Sequence, residues 1–194
     1  MRPPERPEGV TQAARALEAE RQRGSVCGDV HLQGVAVGRV SGPGACGIEN
    51  AVEVRSVAGV RLSSPAVIDC RTAGRLRQWV QSAAIPAFAG QGGGLAQIDM
   101  LGAYSCRTRN NAAGARLSEH AFGRALDIGG FRLNDGTRVT VLRGWNSSWG
   151  QRLRDMHRAA CGPFGTVLGP NANAAHRDHF HFDTAQYRSG SYCR

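Results

Sequence analysis

His176-Arg177-Asp178-His179-Phe180-His181-Phe182 is the stretch on which the reading of this chain turns. In extended backbone, alternate side chains share a face. His179 and His181 then project one way, while Phe180 and Phe182 project the other way and anchor a strand in the core. Asp178 turns away from the two imidazoles unless the strand begins just after it. Two imidazoles on one face of a packed strand make a rigid platform for chemistry.

Upstream lies Ser118-Glu119-His120-Ala121-Phe122-Gly123-Arg124-Ala125-Leu126-Asp127-Ile128, where Gly123 lets the chain turn back. Asp127 heads into an apolar strand, where an ionised carboxylate is costly unless it is paired or binds a metal. Taken singly, each histidine reads as a core residue satisfied by hydrogen bonds, and Asp127 reads as a partner for an arginine. Taken together, a His, an Asp and a second His from two segments compose the three-ligand set of a catalytic zinc site, which keeps one coordination position open for water. The chain has six histidines, and four fall in these two segments. Of the other two, His31 stands outside the constellation and His157 reads as a partly buried helix residue with no metal role.

The 194 residues suffice for one full domain. Residues 1–24 read as a polar leader (1–9) and a short helix over Thr11 to Arg23 carrying Ala13, Ala16 and Leu17 on one face. Residues 25–194 read as the main domain, with 25–50 a small cysteine-containing β extension. Val52–Val57 alternates as a half-buried strand does. Ser64-Pro65 predicts a helix start, with Val67, Cys70, Leu76, Trp79 and Val80 on its apolar face and Pro86 at its end. Strands are expected over Leu95–Cys106, Ala125–Ile128, Val139–Leu142 and Thr166–Leu168. A second helix is expected after Ser147 or Ser148, burying Trp149, Leu153, Met156 and Ala160. Strands mixed with a few helices, without βαβ regularity, predict an α+β fold with a mainly antiparallel sheet and flanking helices.

Six cysteines, none in Cys-x-x-Cys spacing, suggest up to three disulfides and an oxidising compartment. A Cys27–Cys46 bridge is one candidate, and Cys193 is placed to staple the C-terminal tail. The N-terminus shows no hydrophobic signal core, so an exported protein of this sequence is expected to be a trimmed form, extracytoplasmic and periplasmic. No segment approaches the ~18 apolar residues that span a bilayer. All 24 basic residues are arginine, for a formal net charge of +9. Such a surface fits a polyanion or carboxylate-rich peptides, although a compositional preference for arginine accounts for it equally. The arginines are scattered and no ribonucleoprotein motif occurs, so nucleic acid is not an expected partner.

The segment Ser118-x-His120-x-x-Gly123-x-Ala125-x-Asp127 resembles the signature of zinc D-Ala-D-Ala peptidases and the related hedgehog-type fold. His176-x-x-His179-x-His181 looks like the corresponding segment of penicillin-insensitive murein endopeptidases. Ser64–Cys70 and Phe88–Cys106 are similar to the bacterial extensin-like C-terminal family, a likeness running from about residue 25 to the end. The resemblance implies a hedgehog/D-Ala-D-Ala-peptidase-like fold with His120, Asp127 and His181 as Zn2+ ligands and His179 as general base. It implies assistance from His176, an Arg107 that holds a substrate carboxylate or polarises a carbonyl, and an orienting Ser118. Carboxypeptidase relatives carry Glu where this chain has Asp178, which makes Asp178 the competing base. The implied activity is zinc-dependent hydrolysis of a peptide bond in peptidoglycan, in a cross-link or stem peptide. The alternative is a non-catalytic, zinc-containing module that binds the cell wall. Oligomeric state is left open.

Overall fold

The computed structural model describes residues 8–187 and 189–194. Residues 1–7 of the expected leader lie outside the described residues. The elements are α1 (Glu8–Arg23), β1 (Ser25–Val26), β2 (Asp29–Ser41), β3 (Gly47–Val57), β4 (Val60–Asp69), α2 (Cys70–Trp79), α3 (Ile85–Ala87), β5 (Leu95–Gly102), β6 (Ala125–Leu133), β7 (Arg138–Thr140), α4 (Val141–Gly144), α5 (Gly150–Ala160), β8 (Thr166–Leu168), β9 (Phe180–Asp183) and β10 (Tyr192–Cys193). The strands form one sheet in the order β1-β2-β3-β4-β5-β6-β9-β8-β10, with β7 also on β6. Among the described strands, only β4–β5 and β8–β10 pair in parallel. The fold is thus mixed, with a large, mostly antiparallel sheet and a few helices. No helix among the described residues is long and apolar enough to cross a membrane.

Strand alternation divides β9 as its sequence requires. Phe180 and Phe182 are fully buried, and Trp79 of α2 meets Phe182 edge-on at 5.1 Å. Burying one such ring contributes about 1.5–3 kcal/mol, enough to fix the register of a four-residue strand. Leu76 and Trp79 of α2 pack with Leu153 and Met156 of α5 in the same core, and Trp79 Nε1 donates to the Met156 carbonyl at 2.8 Å. The imidazole of His181 projects from the opposite side of its strand, away from this layer.

Several local expectations are corrected. Ser64 and Pro65 do not start a helix; they lie in β4, between the Ala66–Val54 and Arg61–Ser56 pairs, where the ladder is irregular. A proline without an N–H is tolerated at such a bulge. Asp69 caps α2 instead, its carboxylate accepting from Thr72 N at 2.7 Å. Pro86 does not end the helical run, because a π-turn over Val80–Ala84 precedes it and α3 continues to Ala87. The wider turn relieves the clash that an α-helical proline makes with the preceding turn. The first helix begins at Glu8, earlier than Thr11, and Leu17 on it is 52% exposed. β5 ends at Gly102 rather than Cys106. Val141 and Leu142 leave the expected strand for α4, because Thr140 Oγ1 caps that turn by accepting from Arg143 N. Ser147 Oγ accepts from Trp149 N, and α5 starts only at Gly150.

The disulfides are Cys27–Cys70, Cys46–Cys106 and Cys161–Cys193. The candidate Cys27–Cys46 bridge is therefore wrong. Cys27 follows β1 and reaches the start of α2, whereas Cys46 reaches the loop after β5. Cys193 does staple the tail, to the end of α5. Three such bridges fit an oxidising compartment.

Candidate metal centre

Three elements bring the cluster together. β6 carries Asp127 and β9 carries His181, directly opposite each other in the ladder. His120 sits on a 3-10 turn, Glu119–Phe122, that Ser118 caps by accepting from His120 N at 3.4 Å. Gly123 closes that turn at φ 65°, a conformation costly for other residues. A Cβ there would also lie 2.2 Å from Ile48 Cδ1.

The donor atoms converge. His120 Nε2 lies 3.1 Å from Asp127 Oδ2 and 3.2 Å from His181 Nδ1, and His181 Nδ1 lies 2.9 Å from Asp127 Oδ1. All three residues are buried, and their spacing could hold a metal ion. The outer nitrogen of each imidazole is already engaged. His120 Nδ1 donates to the Ala103 carbonyl, and His181 Nε2 faces Asp183 Oδ2 at 3.4 Å. These outer bonds turn His120 Nε2 and His181 Nδ1 toward the centre, the nitrogens that would ligate an ion once they have shed their protons.

Charge is distributed accordingly. Burial alone would raise the Asp127 pKa, but hydrogen bonds from His120 and His181 hold it well below the usual carboxylate range. Burial opposes charge on His181, yet hydrogen bonds to Asp127 and Asp183 push it up to about 9. Burial, then the neighbouring His181 and His179, pushes His176 down to about 4, so that ring is neutral at pH 7.

The other expected residues surround this cluster. His179 Nε2 lies 3.6 Å from Asp127 Oδ1, while its Nδ1 meets Asp178 Oδ1 at 2.8 Å. Asp178 is therefore not among the groups facing the cluster: its side chain is 54% exposed and it holds the far side of His179. This agrees with a strand that starts at Phe180. The His176 ring stands 5.2 Å from that of His179, tethered through Nδ1 to Asn173 Oδ1 at 2.8 Å. Arg107 Nη2 lies 3.7 Å from Asp127 Oδ2, on a loop pinned by the adjacent Cys46–Cys106 bridge. Arg107, His176, His179 and His181 line a cleft of about 500 Å³. His157 sits apart on α5 against Trp145 and Phe180.

Three contributors escape the sequence reading. Asp183 was legible, since it lies two residues beyond His181 and so on the same strand face. Glu119 is buried; burial and then Asp183 raise its pKa. It accepts from Tyr187 Oη, which in turn accepts from Arg109 at 2.7 Å. No local pattern announces that chain, because Tyr187 reaches the rim only through the fold.

In comparison with known proteins, the family described as the extensin-like protein C-terminus matches residues 26–194. No curated protein and no solved structure matches the chain.

Proposed function

The chain belongs to the extensin-like protein C-terminal family, and from that premise we propose that it is an extracytoplasmic, periplasmic zinc peptidase that hydrolyses a peptide bond in peptidoglycan, akin to the D-Ala-D-Ala-peptidase and hedgehog-type proteins. The observation that carries this reading is the convergence of His120 Nε2 and His181 Nδ1, 3.2 Å apart, on the two oxygens of the Asp127 carboxylate, 3.1 Å from Oδ2 and 2.9 Å from Oδ1 respectively. Tetrahedral zinc with bonds of about 2.0–2.1 Å needs donors about 3.3 Å apart. The residues therefore fit the ion with small side-chain adjustment. A structural zinc takes a fourth protein ligand, and the next imidazole, His179, instead stands beside Asp127 with its Nδ1 committed to Asp178.

Zinc, when bound, supplies Lewis acidity to a coordinated water and to the scissile carbonyl. The chain supplies the rest. Asp178 fixes the tautomer of His179 so that Nε2 is the basic nitrogen facing the cleft. His179 Nε2 takes a proton from the attacking water and delivers it to the leaving amine. Arg107 stabilises negative charge developing on the carbonyl oxygen. Neutral His176, with Nδ1 occupied by Asn173, offers its remaining nitrogen to substrate. Arg107 and Arg109 on the cleft wall suit the carboxylates of wall peptides.

Incubating the zinc-loaded chain with isolated sacculi should release new peptide termini, and a metal-free chain should release none. Zinc bound stoichiometrically with no release from sacculi or soluble muropeptides would sink the peptidase reading in favour of a wall-binding module. Asp178→Ala is expected to lower turnover roughly 10–100-fold, the usual effect of removing a group that orients a site imidazole, without loss of zinc. A larger loss than in His179→Ala would transfer the base role to Asp178.

Zinc affinity should depend on pH with a defined sign. His181 must shed its proton to ligate, and in the free site it keeps that proton up to about pH 9. Binding below that pH therefore displaces a proton, and affinity should rise about tenfold per pH unit through the neutral range. Competition titrations at several pH values check this; a flat profile between pH 6 and 8 would contradict it.

A further inference from the structure

β6 changes partner partway along its length. Over Ala125–Ile128 it pairs with β9, and over Gly130–Arg132 it pairs with β7. Gly129 lies at this fork, one residue past the Ile128–Phe180 pair. His179, just before β9, forms one prong, and Thr140, the partner of Gly130, forms the other. A second groove of about 540 Å³ opens here, with Leu101, Gly129, Leu142, Arg143 and Asp178 in its lining.

The groove adjoins the metal-side cleft across the Asp178–His179 pair. Asp178 lines the groove, and His179, to which it is bonded, lines the cleft. The proposed base and its bonded carboxylate thus stand between the two hollows. Leu101 and Leu142 are each 59% exposed in the groove, so the fold spends neither on its own core. The Leu101 side chain lies over the bare backbone of Gly129, where a Cβ would come within 2.7 Å of Leu101 Cγ. Two of the groove's polar pairs are already closed, the Arg138–Asp99 ion pair and the His179–Asp178 hydrogen bond. Arg143 is exposed, and among the described residues it has no ion-pair partner.

We propose that this groove is the second half of a peptide channel. It would hold the arm of a cross-linked wall peptide that continues past the scissile bond. Leu101, Gly129 and Leu142 receive its small aliphatic side chains, and Arg143 receives a free carboxylate. This rests on the peptidase reading and sharpens it. An enzyme that trims one terminal residue needs a cleft on one side of its base only, whereas hollows on both sides admit a chain that runs on in both directions. The reaction class is then endopeptidase, with cross-linked rather than monomeric peptides as substrate.

The test is a binding measurement in a His179→Ala background, which leaves the peptide uncut. A soluble cross-linked dimeric muropeptide and the matching monomer are titrated against this protein and against one that also carries Leu101→Ser and Leu142→Ser. The dimer is expected to bind more tightly than the monomer. The two serines should weaken the dimer roughly tenfold or more, the factor expected from losing two apolar contacts. Monomer affinity, zinc content and Tm should stay unchanged, since both leucines are largely exposed. A dimer that fails to bind, equal affinities for dimer and monomer, or a dimer indifferent to the serines would each overturn the proposal. If the groove binds the dimer as described but the unmodified chain cuts no sacculi, the peptidase reading fails while the channel stands.

Discussion

Asp127→Ala is expected to cost about 3–5 kcal/mol of stability, the range for removing one partner from a buried ion pair, and to abolish stoichiometric zinc binding. Asp127 is only 7% exposed and stands between His120 and His181. Its carboxylate offsets the charge on His181, which Asp183, two residues along the same strand, would then have to hold alone at 3.4 Å. For a chain of this size that corresponds to a fall in Tm of roughly 10 °C. Asp127→Asn keeps the shape and hydrogen-bonding capacity, so it should lose zinc at a smaller thermal cost. The pair of variants separates ligation from packing. Denaturant melts and metal analysis after gel filtration read both, and an Asp127→Ala chain that retained one zinc would remove this residue from the ligand set.

His179→Ala should behave in the opposite way. Turnover is expected to drop by about 10²–10⁴, the usual contribution of a positioned general base, while zinc content and Tm stay close to those of the parent. The contrast follows from position. His179 precedes β9 and contributes no rung to the ladder, whereas the buried phenylalanines that hold β9 follow it. A rate loss in step with loss of zinc would make His179 a ligand rather than a base.

Much of the site was legible because strand alternation is a short-range rule. Phe180 and Phe182 identify one face as core, which fixes the direction of His179 and His181 whatever the rest of the chain does. The same rule, carried one step further, reaches Asp183. Local rules failed where two of them competed. Ser64-Pro65 satisfies a helix start, but Ala66 and Ile68 alternate into the core and sheet pairing with β3 prevails. Cysteine pairing was not legible, because Cys27 and Cys46 are near in sequence but sit at different places along the β2–β3 hairpin, each beside a more distant partner. The fork at Gly129 is likewise a product of topology: two strands, separated by some forty residues of chain, share one edge of β6.

Gly123 has a bearing on how such a protein could change over generations. Its amide bonds to His120 O, its carbonyl accepts from Asp69 N at the start of α2, and its bare α-carbon is pressed against Ile48 and Ile68. One residue thus couples the geometry of an imidazole donor to the tightness of the apolar interior. Substitutions at Ile48, whose side chain makes this contact, that alter interior volume would shift the ligand as well, so thermal robustness and metal tuning draw on the same atoms. Lineages adapting to heat would have to compensate at both together, and sites remote from this hinge offer the freer route.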